Sequence, residues 1–157
     1  MGVSGCGKST VGKRIASELG AIFIDGDDLH PEINLRKMSA GVPLTDPDRL
    51  PWLTVIGNTL ARNSRVVIAA SALKRLYRDF IRASAPGVFF VYLAIPLAEA
   101  EVRVRTRGNH FMPVSLVDSQ FTALEPLEPD ELGMTLDATL TIEEIVHKAR
   151  LGLAELD

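Results

Sequence analysis

The stretch that decides the fold stands at positions 2–9 and reads Gly2-Val3-Ser4-Gly5-Cys6-Gly7-Lys8-Ser9. It matches the pattern G-x-x-x-x-G-K-[ST] at every fixed position. Because glycine has no Cβ, such a stretch can turn several backbone N–H groups toward one centre, where an anion binds. The pattern predicts a phosphate-binding loop for ATP, with contacts from Gly2, Ser4, Gly5, Cys6, Gly7, Lys8, Ser9 and Thr10.

Two residues at the end of this loop carry its chemistry. Lys8 is expected to reach the β- and γ-phosphates of ATP, and the Ser9 hydroxyl is expected to bind Mg²⁺. A helix is predicted at residues 8–19, where Val11, Ile15 and Leu19 share one face. Its N-terminal dipole also favours an anion at the loop.

Short apolar runs alternate with helical patterns along the rest of the chain, which favours an α/β fold with a parallel sheet. Strands are predicted at residues 21–25, 65–70, 88–94 and 134–138. Helices are predicted at residues 31–41, from 47, at 74–85, at 96–107, up to about 124, and over the apolar stripe 142–156. There is no repeat and no linker, so residues 1–157 are expected to form one domain.

Composition excludes several classes of protein. The net charge of −3 argues against a general nucleic-acid or membrane-surface binder. No apolar run reaches the roughly 18 residues of a membrane span. Cys6 is the single cysteine, so no intrachain disulfide can form, and the cytoplasm is the expected compartment.

The next informative stretch, residues 25–31, follows the predicted strand 21–25 and reads DGDDLHP. Open α/β sheets bind ligands at the carboxyl ends of their strands. Asp25 is therefore expected to hold a water of Mg²⁺, and Asp27 to orient an attacking hydroxyl and take its proton. The alternative is that these acids are turn residues, with Asp27 or Asp28 capping the helix that begins near Pro31.

Positions 25–53 follow the longer pattern D-G-D-x-L-H-P-x-x-N-x-x-K-M-x-x-G-x-P-L-x-D-x-D-R-x-P-W-L. This pattern resembles the gluconate kinase family, as do the later motifs SALK at 71–74, YRD at 77–79, HFM at 110–112 and SQF at 119–121. The resemblance implies phosphorylation of D-gluconate on its 6-hydroxyl by ATP. It also implies a three-layer P-loop NTPase sandwich similar to shikimate and adenylate kinases. Family members are often dimers, so a homodimer is possible.

Gluconate carries a carboxylate and a row of hydroxyls, so its site needs a fixed cation and several hydrogen-bonding side chains. Arg49 is the candidate for the carboxylate, because a guanidinium matches it bidentately. By position in the family motifs, the other substrate-binding candidates are Asp27, His30, Asn34, Lys74 and His110.

The segment 103–123 resembles a mobile lid that closes over ATP. Arg103 and Arg107 lie four residues apart on one helix face, whereas Arg105 points elsewhere. In the family, such arginines would neutralise charge on the transferring phosphoryl group. The alternative is an exposed basic helix face.

Two features depart from the family pattern. No apolar strand precedes the phosphate loop, although similar kinases place a central strand there. Its loss would leave about five residues of each neighbouring strand unpaired, at about 1–3 kcal/mol per buried group. The expectation is therefore that Met1 is internal in the natural product. In addition, no acid follows the strand 65–70, so Asp25 is inferred to replace the Walker B aspartate.

Two further interpretations stay open at this point. The acceptor could be shikimate or a nucleotide, although the contexts at 29–31 and 51–53 disfavour both. The chain could also bind nucleotide without turnover.

Overall fold

The computed structural model describes residues 1–106 and 114–155. Each predicted helix and strand is present with ends within two residues of expectation, and one 3₁₀ helix is added after the first strand. In chain order the elements are α1 (Lys8–Leu19), β1 (Ile22–Asp25), the 3₁₀ helix (Gly26–Leu29), α2 (Glu32–Ser39), α3 (Asp46–Arg62), β2 (Val66–Ala69), α4 (Arg75–Ser84), β3 (Phe90–Ala94), α5 (Leu97–Thr106), α6 (Val114–Ala123), β4 (Gly133–Asp137) and α7 (Ile142–Ala154). No described helix is both long and apolar enough to cross a bilayer.

Local capping explains where several helices begin and end. α1 ends at Gly20, whose φ of 60° is left-handed. α3 begins at Thr45, which exchanges hydrogen bonds with Asp48 in a capping box. α2 follows Pro31 without any side-chain cap, so the alternative that Asp27 or Asp28 caps this helix is wrong. The carboxylate of Asp25 instead caps the 3₁₀ helix.

The strands pair in parallel, as predicted, but they form two separate two-stranded sheets. β1 pairs with β2, with Ile22 opposite Val66, and β3 pairs with β4, with Phe90 opposite Gly133. The first two residues lie between the sheets. The Met1 amine donates to Val91 O, and Gly2 N–H donates to Ser71 O at 3.2 Å. These contacts place the phosphate loop directly above the junction.

Helices cover both faces of the strands and enclose two apolar clusters. One cluster joins α1, α7 and the β3–β4 pair, through Val11, Ile15, Leu93, Val146 and Ala149. The other joins α3 and α4 to β2 and β3, through Trp52, Leu53, Ile56, Tyr77 and Ile81. The result is the three-layer α/β arrangement that positions the carboxyl ends of the strands together.

A fully buried ion pair ties the loop after β2 to the loop before β4. Both Arg78 and Glu131 have completely buried side chains, and two parallel 2.7 Å hydrogen bonds join them. Arg78 also donates to the carbonyl oxygens of Ala72, Leu73 and Glu125. The Arg78 guanidinium therefore satisfies backbone acceptors in both loops and holds the two loops together.

We expect Glu131→Gln to destabilise the fold by about 3–5 kcal/mol, because it leaves the Arg78 charge buried without its counter-ion. Urea unfolding followed by circular dichroism would measure this. Asp130→Asn is the matched control, since Asp130 pairs with Arg75 at the solvent-exposed surface, and it should shift the midpoint little. Equal effects of the two variants would contradict the prediction.

The same pair predicts a pH dependence. The hydrogen bonds from Arg78 lower the pKa of Glu131 to about 2. Between pH about 4.5 and 2 the unfolded chain protonates this carboxyl and the folded chain does not, so stability should fall as the pH falls. The loss of stability over this pH range should be smaller in the Glu131→Gln variant.

Candidate active site

The phosphate loop is held in a conformation that only glycine allows at three positions. Gly2, Gly5 and Gly7 have φ values of 143°, 83° and 94°. A Cβ on Gly2 would lie 2.9 Å from Leu93 O, and one on Gly5 would lie 2.8 Å from Ala100 O. The loop is thus wedged between β3 and α5, with Cys6 buried beneath it. This close backbone turn fits the phosphates of a nucleotide.

Two side chains complete the phosphate end of the site. The Lys8 ammonium donates to Val3 O at 2.9 Å, which holds it over the loop. The Ser9 hydroxyl donates to Asp25 Oδ2 at 3.0 Å. A hydroxyl next to a carboxylate suits Mg²⁺, which takes few protein ligands and completes its shell with phosphate and water. Among the described residues, no three His, Cys, Asp or Glu side chains form a cluster that could hold a metal ion.

Asp27 stands beside this pair of residues. Its backbone N–H donates to Asp25 Oδ1 at 3.2 Å. Desolvation, and then the neighbouring Asp25 charge, raise the pKa of Asp27, while the charges of Lys8 and Arg49 act in the opposite direction. A carboxylate with a raised pKa close to the phosphate loop is a better proton acceptor than an ordinary aspartate.

His30 is fixed by a layer of buried groups behind it. Its ring stacks on Trp52, with centroids 4.4 Å apart, and Trp52 Nε1 donates to Gly26 O at 2.7 Å. Asn34 Nδ2 donates to Asp48 O at 2.8 Å, which fixes the amide orientation, and lies 3.3 Å from His30 Nδ1. Nδ1 must therefore accept, and the ring proton sits on Nε2. Burial lowers the pKa of His30 to about 4, so the ring is neutral at pH 7.

The two predicted cations of the acceptor side differ in their surroundings. The Lys74 ammonium donates to both oxygens of Asp46 at 2.9 Å, and the Tyr77 hydroxyl donates to the same carboxylate. Arg49 lies with its guanidinium carbon 5.7 Å from the Tyr77 ring centroid. Within the described ranges Arg49 has no salt bridge, so its charge is available to a ligand.

The structure describes only part of the segment 103–123, which was expected to form a lid. Arg103 donates to Glu99 Oε1 at 3.0 and 3.1 Å, and Arg105 pairs with Glu101 in the same i,i+4 manner. Arg107 and His110 lie outside the described residues. α6 contacts the phosphate loop, because Ser4 N–H donates to Gln120 Oε1 at 2.6 Å.

Sequence reasoning placed Lys8, Ser9, Asp25, Asp27, His30, Arg49 and Lys74 near the site, and the structure brings them to one side of the sheets. Thr10 is exposed on α1, and Asn34 is buried behind His30. The residues that were missed are the partners of these groups, Asp46, Asp48 and Tyr77, and the loop contact Gln120. The D-x-D spacing at 46–48, inside the long motif, was the available signal for the first two.

We predict that His30 stays uncharged down to about pH 4, because burial, and then the Arg49 charge, disfavour protonation. An NMR titration of its Cε1–H, assigned by loss of the signal in His30→Gln, should give a midpoint near pH 4. Stability should also fall as the pH drops from 6.5 toward 4, because only the unfolded chain binds the proton there. A midpoint near 6.5 would contradict the prediction.

Comparison with known proteins gives consistent matches along the chain. A family model described as an AAA domain matches residues 1–127. The thermosensitive gluconokinase of Escherichia coli (strain K12) is 43% identical over 155 residues, covering 96% of this chain and 83% of that protein. The gluconokinase of Gluconobacter oxydans (strain 621H) is 44% identical over 135 residues, covering 83% of this chain and 76% of that protein.

Solved structures agree with these matches. A gluconokinase from Sinorhizobium meliloti 1021 superposes with a TM-score of 0.91 at 49% identity, covering 99% of this chain and 90% of that chain. A shikimate kinase from Bacteroides thetaiotaomicron has a TM-score of 0.71 at 20% identity, covering 98% and 96%, and this likeness shows the fold alone. With a P-loop kinase fold and identities above 40% to gluconokinases over most of its length, the chain belongs to the gluconokinase family.

Proposed function

We propose that this chain transfers the γ-phosphoryl group of ATP to the 6-hydroxyl of D-gluconate, giving 6-phospho-D-gluconate. The observation that carries the proposal is one arrangement of side chains. Lys8 and the Ser9–Asp25 pair lie at the phosphate loop, and Asp27, His30 and Arg49 stand beside them. The gluconokinase relatives favour this acceptor over shikimate or a nucleotide, and they favour turnover over binding alone.

The phosphate loop and Lys8 bind and orient the triphosphate of ATP. Backbone N–H groups hold the phosphates, and the Lys8 ammonium spreads positive charge over the group being transferred. Ser9 and Asp25 would hold Mg²⁺, and a bound Mg²⁺ would neutralise part of the phosphate charge. Asp25 would then serve in place of an acid after β2.

Asp27 orients the acceptor hydroxyl and removes its proton. Phosphoryl transfer needs a positioned nucleophile more than a strongly activated one, so the main contribution of Asp27 is a hydrogen bond from the 6-hydroxyl. Its raised pKa assists the later proton transfer from the hydroxyl to the carboxylate.

Arg49 is the proposed partner of the gluconate carboxylate. Lys74 already donates to both oxygens of Asp46, so its charge is largely compensated, whereas Arg49 keeps its charge for the ligand. Lys74 and the Nε2–H of His30 would then serve hydroxyls of the sugar acid. Asn34 acts by fixing the orientation of His30.

Arg103 is proposed to stabilise the transferring phosphoryl group when the lid closes. In the structure its guanidinium is bound to Glu99, so closure would require it to exchange this partner for phosphate. Arg107 and His110 keep the roles that the family resemblance implies, the first on the phosphoryl group and the second on the substrate.

We expect Asp27→Asn to lower kcat by about 10²–10⁴-fold, because the amide keeps the shape of the side chain but cannot take the proton. The affinity for ATP should change little. Asp28→Asn is the matched control, since Asp28 is the adjacent exposed acid on the same 3₁₀ helix, and it should keep its rate within about twofold. Coupled ADP release and ATP titration measure both. A fully active Asp27→Asn enzyme would contradict the assignment of Asp27 as the proton acceptor.

We expect Arg49→Ala to raise the KM for D-gluconate by about 10–150-fold, because a hydrogen bond to a charged group contributes about 1.5–3 kcal/mol. Arg36→Ala is the control, because Arg36 is exposed on α2 and pairs with Glu32. Neutral D-gluconamide tests the role of the carboxylate charge, because it differs from gluconate only in lacking that charged group. The wild type should bind it weakly, and Arg49→Ala should not weaken it further. An equal loss for both compounds would show that Arg49 does not bind the carboxylate.

A further inference from the structure

One carboxylate-binding position on the acceptor side is already filled by a side chain of the protein itself. The Lys74 ammonium donates to both oxygens of Asp46 at 2.9 Å, and the Tyr77 hydroxyl donates to Oδ1 of the same carboxylate. These contacts join the first residue of α3 to Lys74 and to α4, across 28 and 31 positions. Several donors that converge on one carboxylate are also what a site for a carboxylate ligand requires.

The donors of this position are held in place by groups other than Asp46. Tyr77 is only 5% exposed and belongs to the apolar cluster that contains Trp52 and Ile81. Lys74 directly precedes α4, and its ammonium lies 5.6 Å from the centroid of the Tyr77 ring. A small anion could reach them from solvent, because the side chains of Lys74 and Asp46 are 31% and 43% exposed. We call the place where the Asp46 carboxylate lies the Lys74–Tyr77 position.

The Lys74–Tyr77 position lies beside the cation that is proposed to bind gluconate. Arg49 follows Asp46 by three residues on α3, and its guanidinium carbon lies 5.7 Å from the Tyr77 ring centroid. The Tyr77 ring thus has two cations next to it, of which Lys74 has an acidic partner and Arg49 has none within the described ranges. The hydrogen bond from Tyr77, and then that from Lys74, lower the pKa of Asp46, and the bond to Asp46 raises the pKa of Lys74. Both members of the pair therefore stay charged at pH 7.

We propose that Asp46 is a positioning residue that determines the orientation of the substrate. It fills the Lys74–Tyr77 position with its own carboxylate, so that the carboxylate of a sugar acid binds at Arg49 and not at Lys74. This inference rests on the proposed function. The 6-hydroxyl of gluconate, at the end opposite its carboxylate, must reach Asp27. Because the two cations lie at different points, a substrate attached at Lys74 would have its 6-hydroxyl displaced from Asp27 and would bind without reacting.

An unreactive complex of this kind has a kinetic signature that simple damage to the site does not have. It holds enzyme at saturating substrate, so kcat falls, and it adds to overall binding, so KM falls by the same factor. The ratio kcat/KM compares free enzyme and free substrate with the transition state, so it does not change. Loss of a contact to the substrate, or a distorted site, would instead lower kcat/KM.

The test is Asp46→Ala, which empties the Lys74–Tyr77 position and keeps both of its donors. Both kcat and KM for D-gluconate should fall by about fivefold or more, because one charge-assisted hydrogen bond contributes at least that factor. Neutral D-gluconamide has no carboxylate to enter the vacated position, so its kcat should not change. Sodium formate, at constant ionic strength, should restore kcat with gluconate in this variant, because formate can occupy the vacated position. It should not raise kcat of the wild type.

Two further variants separate the effect on Lys74 from the mere loss of an ion pair. In a Lys74→Met background, Asp46→Ala should cause no parallel fall of kcat and KM, and formate should not act, because the cation is gone. Glu18→Ala is the matched control, because Glu18 near the end of α1 pairs with Arg150 at 3.1 Å across 132 positions. Its kinetic constants should equal those of the wild type. Should Asp46→Ala fail to fold, Asp46→Asn leaves the Lys74 charge uncompensated, and kcat and KM should still fall by a common factor.

Several outcomes would overturn the proposal. A raised KM, a lowered kcat/KM, or an equal loss of kcat with gluconate and gluconamide would each show damage to the site and not a second mode of attachment. A kcat that formate does not raise would also overturn it. If the wild type does not phosphorylate gluconate, the proposed function fails, and this inference fails with it. If the wild type does so and Asp46→Ala keeps its kcat and KM, this inference alone fails.

Discussion

The site depends on how closely the phosphate-loop backbone approaches its two neighbours. The Cα atoms of Gly2 and Gly5 face Leu93 O and Ala100 O at distances that leave no room for a Cβ. Because those oxygens belong to β3 and α5, a side chain at either glycine would have to move a whole element. These two close contacts therefore fix the phosphate loop against α5, the helix that carries Arg103. The Arg103 helix and the phosphate loop are thus held together by a direct backbone contact.

A second constraint separates structural charges from those left for ligands. Arg78 is compensated by Glu131, and Lys74 by Asp46. Arg49 has no such carboxylate within the described part of the chain. Burial, and then the Arg49 charge, lower the pKa of His30, and the same charge opposes the raised pKa of Asp27. A cation that is held near the acceptor pocket without an acidic partner adds attraction for an anionic substrate. It does so without first breaking an ion pair, which is an advantage for binding.

Local patterns predicted the parts of the molecule that local physics determines. The glycines and Lys8 revealed the loop, and the apolar spacing of Val11 and Ile15 gave α1 its observed limits. Contacts across long separations were not predictable in this way. Lys74 meets Asp46 across 28 positions, and Gln120 meets Ser4 across 116. The Arg103–Glu99 pair is different, because its i,i+4 spacing was visible in the sequence.

Met1 and Gly2 connect the phosphate loop to β3 and to the loop after β2. Met1 is hydrogen-bonded to β3, and Gly2 N–H donates to Ser71 O, at the start of the loop that leads to Lys74. Ala72 in that loop has a φ of 43°, a strained value for a residue with a side chain, and Arg78 holds its carbonyl. These hydrogen bonds join the start of the phosphate loop to β3 and to the loop that carries Ser71. Neither loop can therefore shift without breaking these shared hydrogen bonds, so the two loops restrict each other.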